Sequence, residues 1–246
     1  MRFPDYSSFA KEYAQTRPHY PSELFSYLAS LLDRRTLAWD CATGNGQAAL
    51  ELARYFERVI ATDISAEQLR HSVPHPRVTY RVAQAEQSGL DGQSVDLLTV
   101  ATALHWFDLD RFYSEACRVV RSGGVLAVWT YHVGYVEPPF NEVVERFYRD
   151  VVSPYFAPGA RLVDDRYEGI TLPGEAVDAG EYFASASWNL DQTLTFLEYW
   201  SGSQQYMKVR GENPVALIAN ELAQVWGGRE RVHTVRWPMY LRLSRL

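Results

Sequence analysis

The sequence predicts an α/β fold: a mostly parallel, doubly wound sheet with helices on both faces. Two observations carry that expectation. Short apolar runs alternate with helical stretches through the first half of the chain, as expected of strands buried on both faces. A glycine-bearing turn, Ala42-Thr43-Gly44-Asn45-Gly46-Gln47, joins the first apolar run to a helix. Such a strand–turn–helix junction presents backbone N–H groups at a helix N-terminus, where a ligand can sit.

A helical pattern over residues 5–34 is broken at Arg17-Pro18-His19-Tyr20-Pro21, because proline removes a donor and clashes with the preceding turn. Ser22 reads as the N-cap of the next helix, with Leu24, Phe25, Leu28, Leu31 and Leu32 on one face. Strands are expected at 37–41, 59–62, 78–82, 95–100 and 125–130. Helices are expected at 48–53, from Ser65 (an N-cap) and at 109–120, the last closed by Ser122-Gly123-Gly124. The alternation stops near residue 131. Residues 137–165 read as helical and rich in Tyr and Phe, 170–174 as a turn and 181–189 as a strand. Two amphipathic helices follow near 191–208 and 214–226, and 233–243 alternates as a final strand.

The chain's 246 residues suit one sizeable domain or a core with a modest cap. A net charge of -6 with no dense basic run disfavours a nucleic-acid partner. Cys41 and Cys117 have no CxxC neighbour, which argues against a disulfide framework or a cysteine metal site. Pro74 and Pro76 interrupt the stretch carrying His71 and His75, so no metal is expected. Neither an apolar leader at residues 1–6 nor a membrane-length apolar run is present, and the expectation is a cytoplasmic protein with no membrane partner, a monomer or homodimer. Aromatics reach 14%, enough to line a pocket as well as a core.

Asp63 ends the second strand about 20 residues beyond the turn, where a carboxylate accepts from ribose hydroxyls in doubly wound nucleotide folds. A dehydrogenase reading is weaker: Gly44-x-Gly46 is followed by Gln47-Ala48-Ala49, which lacks the last glycine of that fingerprint. Together these residues resemble the class I S-adenosylmethionine-dependent methyltransferases (methyltransferase type 11). Asp40-Cys41-Ala42-Thr43-Gly44-Asn45-Gly46 matches the family's first motif, with Ala42 in place of its first glycine. Ala-Leu-His-Trp-Phe-Asp at 103–108, Tyr13 to Pro21, and Val235 to Leu241 are similar to a subgroup that includes trans-aconitate and cantharidin methyltransferase-like enzymes.

The resemblance implies a seven-stranded sheet whose last strand is antiparallel, with a helical cap inserted late in the chain. It implies three regions: an N-terminal helical lid segment at 1–34, a cofactor-binding core at 35–134, and a cap with the closing strands at 135–246. S-adenosylmethionine is the implied cofactor, held by Asp40, Ala42, Thr43, Gly44, Gly46, Gln47, Asp63, Ile64, Gln84, Ala85, Glu86 and Thr102, with Tyr13 and Arg17 closing over it. Gln84 stands where relatives often have a carboxylate, and its amide oxygen can still accept from the adenine amino group.

His105 lies just past the fourth strand, at the sheet edge where ligands bind, and is the catalytic candidate, as a base or as a donor that orients the acceptor. Trp106, Trp129, Tyr131, Trp200 and Gln204 are candidates for the acceptor side, beside His132. The expected reaction is methyl transfer to a small molecule, with a carboxylate as the acceptor that needs no base. A non-catalytic binder of the same cofactor and a methyltransferase for a macromolecule are the rival readings.

Overall fold

The computed structural model describes residues 17–246, so Tyr13 and the helical pattern over 5–16 lie outside the described residues. The first helix, Ser22–Ser30, buries Leu24, Phe25, Leu28 and Ala29. Ser22 is its first residue rather than its cap: the extended Pro21 precedes it and makes no side-chain capping bond.

The strands are β1 (Leu37–Cys41), β2 (Arg58–Asp63), β3 (Val78–Val82), β4 (Val95–Ala101), β5 (Val120–Tyr131), β6 (Glu175–Val177), β7 (Tyr182–Trp188) and β8 (His233–Arg245). Their order is β3-β2-β1-β4-β5-β8-β6, with β7 also paired to β8. The first five are parallel, as their apolar runs and helical connections require. The last strand is antiparallel to β5, in the register Val125 with Arg245 through Tyr131 with Met239. β6 and β7 share its other edge end to end.

The sheet therefore has eight strands, not seven. β6 spans three residues with no buried position, so its sequence carries no period-two pattern. It exists because the end of β8 offers a free edge at Leu243 to Arg245.

Three boundaries also differ from the sequence reading. Ser122-Gly123-Gly124 does not cap a helix: the helix Leu109–Val119 passes straight into β5. A Cβ on Gly124 would lie 2.6 Å from Val120 Cγ1 and 3.0 Å from the Asp96 carbonyl, so glycine lets the strand pack where the β4–β5 register shifts. The stretch 191–208 is two helices, Leu190–Glu198 and Ser201–Arg210, separated at the extended Trp200. Within 137–165, the helix Pro138–Phe147 gives way to a wide turn, tight turns and the short helix Arg161–Asp164.

Two apolar layers flank the sheet. One gathers Phe25, Leu28, Trp129, Phe147 and Trp237; the other gathers Leu98, Val100, Phe112, Leu126 and Tyr167. No described helix is long and apolar enough to cross a membrane.

Candidate active site

The site begins where β1 ends. Three residues of the following turn have positive φ: Ala42 (+54°), Gly44 (+58°) and Gly46 (+89°). A Cβ on Gly46 would meet the Tyr80 hydroxyl oxygen at 2.5 Å, so any larger residue there must displace that ring. Gly44 faces open space, with only Gln68 Oε1 at 4.0 Å from the same construction. Asp63 binds the turn from the end of β2, accepting from Gly44 N–H and Ser65 N–H at 2.8 Å each. Burial raises its pKa, and these backbone N–H groups oppose the rise.

Asp40 lies beneath the turn, fully buried, and accepts from the hydroxyls of Thr43 (2.5 Å) and Thr99 (2.7 Å). Burial pushes it up to about 6.

Above the turn lies a cavity of about 550 Å³. Its inner half is lined by the turn, by Asp63, Ile64 and Gln68, and by Gln84, Ala85 and Glu86 beyond β3. Gln68 Oε1 is buried there without a hydrogen-bond partner among the described residues. A stranded acceptor beside an open glycine turn and an accepting carboxylate is what a nucleoside's donors require. These residues fit S-adenosylmethionine.

The outer half is walled by His105, Trp106, Tyr131, His132, Tyr148, Phe156, Phe196 and Trp200. Trp200 is stacked on Phe147 and meets Tyr148 and Phe196 edge-on, which fixes the wall. His105 Nδ1 lies 3.1 Å from the Tyr167 hydroxyl, and burial pushes the imidazole down to about 4.

The segment 17–20 closes the cavity. Arg17 Nη1 donates to the Tyr131 hydroxyl at 3.0 Å, and its guanidinium lies over the Phe196 ring. Tyr20 lies 3.5 Å from Thr102 Oγ1. Gln47 Nε2 donates to the Pro18 carbonyl, and His19 pairs with Ser185 of β7.

The cavity thus brings together Arg17, Ala42, Thr43, Gly44, Gln47, Asp63, Ile64, Gln84, Ala85, Glu86, Thr102, His105, Trp106, Tyr131 and Trp200. Four expected residues do not line it. Asp40 is turned into the core, where two threonine hydroxyls satisfy it, so it supports the turn from below. Gly46 is the hinge beside Tyr80. Trp129 is fully buried edge-on to Tyr20 and Phe25. Gln204 turns back and donates to the Glu198 carbonyl. Sequence reasoning missed Tyr20, Asn45, Gln68, Tyr148, Phe156 and Phe196. Asn45 and Tyr20 lay inside motif runs without being singled out, and Gln68 carried a signal as a polar residue on the helix that Ser65 caps.

Comparison with known proteins agrees with this geometry. Residues 39–128 match the methyltransferase domain family. A methyltransferase-family protein of Dictyostelium discoideum is 31% identical over 98% of this chain and 94% of its own. A Saccharomyces cerevisiae protein of the S-adenosylmethionine-dependent methyltransferase class is 28% identical over 87% of this chain and 86% of its own. A solved structure from Anaeromyxobacter dehalogenans, of a type II methyltransferase, is 40% identical, covers 93% of this chain and 97% of its own, and superposes with a TM-score of 0.86.

Proposed function

The chain belongs to the methyltransferase domain family, and from that premise we propose that it transfers the methyl group of S-adenosylmethionine to a carboxylate on a small acceptor. S-adenosylmethionine supplies a methyl already activated on a sulfonium, so the protein's work is to position the nucleophile and exclude water. Asp63, Gln68 and Gln84 would hold the ribose and base, and the Thr43–Gly44 turn admits the tail. Arg17 and Tyr20 close the site from the lid, with the core at 35–134 and the acceptor wall drawn from 135–246. The Ala-Leu-His-Trp-Phe-Asp run supports a place beside the trans-aconitate and cantharidin methyltransferase-like enzymes.

The observation that carries the acceptor reading is His105. Held near 4 by burial, its imidazole is neutral at physiological pH and a weak base. A phenol or alcohol would gain little from it as a proton acceptor, whereas a carboxylate is already ionised. His105 then orients the acceptor. The cavity of about 550 Å³ and the net charge of -6 support a small molecule over a nucleic acid.

The test is turnover with methyl-labelled S-adenosylmethionine and a panel of small carboxylic acids, followed by alkali. Label in a methyl ester is released as methanol; label in an ether or amine is retained. Alkali-labile product is expected, and alkali-stable product would overturn the carboxylate assignment.

A further inference from the structure

The outer wall holds a second imidazole that positioning by His105 leaves unused. His132 follows the last residue of β5. Its Nε2 lies 3.1 Å from Asp164 Oδ1 on the short helix Arg161–Asp164. The Tyr148 hydroxyl donates to the same carboxylate oxygen, and its ring stands edge-on to the imidazole at 4.5 Å. His132 and Tyr148 line the cavity, while Asp164 stands behind them. Nδ1 of His132 makes no hydrogen bond among the described residues, which leaves that nitrogen for a ligand.

We propose that His132, oriented by Asp164 at Nε2, grips the acceptor's carboxylate through Nδ1 as an imidazolium between the two carboxylates, and makes this wall the specificity determinant for small anionic acceptors; the inference rests on the carboxylate reading above. The charges around it favour this role. Asp164 is the nearest, and although burial works to raise its pKa, bonds from His132 and Tyr148 hold the carboxyl below its ordinary range. Arg161 lies near Asp164, and Arg17 is directed at Tyr131 and Phe196. His105 faces Tyr167, and Asp63 and Glu86 belong to the inner half. An anion at Nδ1 therefore completes an alternating row of carboxylate, imidazolium and carboxylate.

In the transfer, one acceptor oxygen forms the new C–O bond as the methyl–sulfur bond breaks, and that bond's electron pair goes to sulfur. The acceptor's negative charge and the sulfonium's positive charge disappear together. No proton moves, and His132 keeps the one it holds. The neutral ester has lost the charge that His132 gripped, so the contact that captures the acid lets the product go.

The experiment titrates benzoate and its neutral isostere benzamide into the protein saturated with S-adenosylhomocysteine, between about pH 5 and about pH 8. Benzoate is expected to bind more tightly at the acid end, with an advantage that falls about tenfold per pH unit once the imidazole loses its proton. His132→Gln, with His132→Asn as a second variant, should erase that advantage while leaving S-adenosylhomocysteine affinity intact, which also certifies folding. Asp164→Asn should move the benzoate curve to lower pH, identifying Asp164 as a positioning residue.

Benzoate affinity that is undetectable, independent of pH, equal to that of benzamide, or unchanged in His132→Gln overturns the proposal. So does turnover whose kcat rises with pH at constant KM, because His132 would then be taking a proton. A pH-dependent grip beside an alkali-stable product supports the proposal and sinks the esterification reading alone. Loss of the grip beside an alkali-labile product does the reverse.

Discussion

Ala42 holds a left-handed φ of +54° in the turn after β1. An L-residue there places Cβ against the following carbonyl, at a cost of roughly 1–2 kcal/mol. Replacement by glycine relieves that strain but adds freedom to the unfolded chain, so Ala42→Gly should stabilise the protein by roughly 0.5–1 kcal/mol. A lower melting temperature in that variant would contradict the strain. Asp40 makes a second prediction at this scale. Burial lifts its folded pKa from the ordinary 3.8 to about 6, so the folded chain binds more protons between those values. Its contribution is full below about pH 3.8 and lost as pH rises through about 6, an effect of order 3 kcal/mol. Denaturant unfolding should show the wild type losing stability relative to Asp40→Asn across that window; parallel pH profiles would refute it. The spacing of Asp40, Gly44, Gly46 and Asp63 was legible because backbone geometry demands it of a strand, a turn and the next strand's end. Their division of labour was not, since linear order does not say which carboxylate faces the cavity and which faces Thr43 and Thr99.

Short elements contribute much of the outer wall of the cavity. The turn Pro158–Ala160 rests directly on His105, and a Cβ on Gly159 would lie 2.2 Å from the His105 carbonyl oxygen. Gly159→Ala must push this turn and the His105 backbone apart. Acceptor turnover should fall at least about tenfold through misplacement, with S-adenosylhomocysteine affinity changed less than about twofold. Calorimetry and single-turnover rates separate the two; equal losses in both would place the damage in the whole fold. Such elements explain what the sequence left hidden. Alternating apolar runs announce β1, β2 and β4, whereas Tyr148, Phe156 and Phe196 occupy helices and turns whose aromatic residues read alike for core and cavity. The break at Trp200 has no proline, and Gly202 beyond it lies inside the second helix; the break is what brings that ring beside Tyr148 and Phe196.

At the scale of the molecule, everything converges on β8. The strand lies between β5 and the pair β6 and β7, and its Met239 pairs with Tyr131 on one edge and Tyr182 on the other. A chain ending at residue 232 leaves β6 and β7 without a partner strand and β5 with β4 alone, with Trp237, Leu241 and Leu243 gone from the core. It should show no cooperative unfolding transition by circular dichroism; a transition at the wild-type temperature would mean that the five parallel strands suffice.

This placement also has a meaning during translation. The strands that lead to Gly44, Asp63 and Thr102 leave the ribosome early, and β1 to β4 can pair among themselves while β4 still awaits β5. β7, to which His19 is bonded, must wait for β8. The strands around the glycine turn therefore emerge before the segments that wall the outer half of the cavity, and β8, synthesised after all of them, decides when the two halves join.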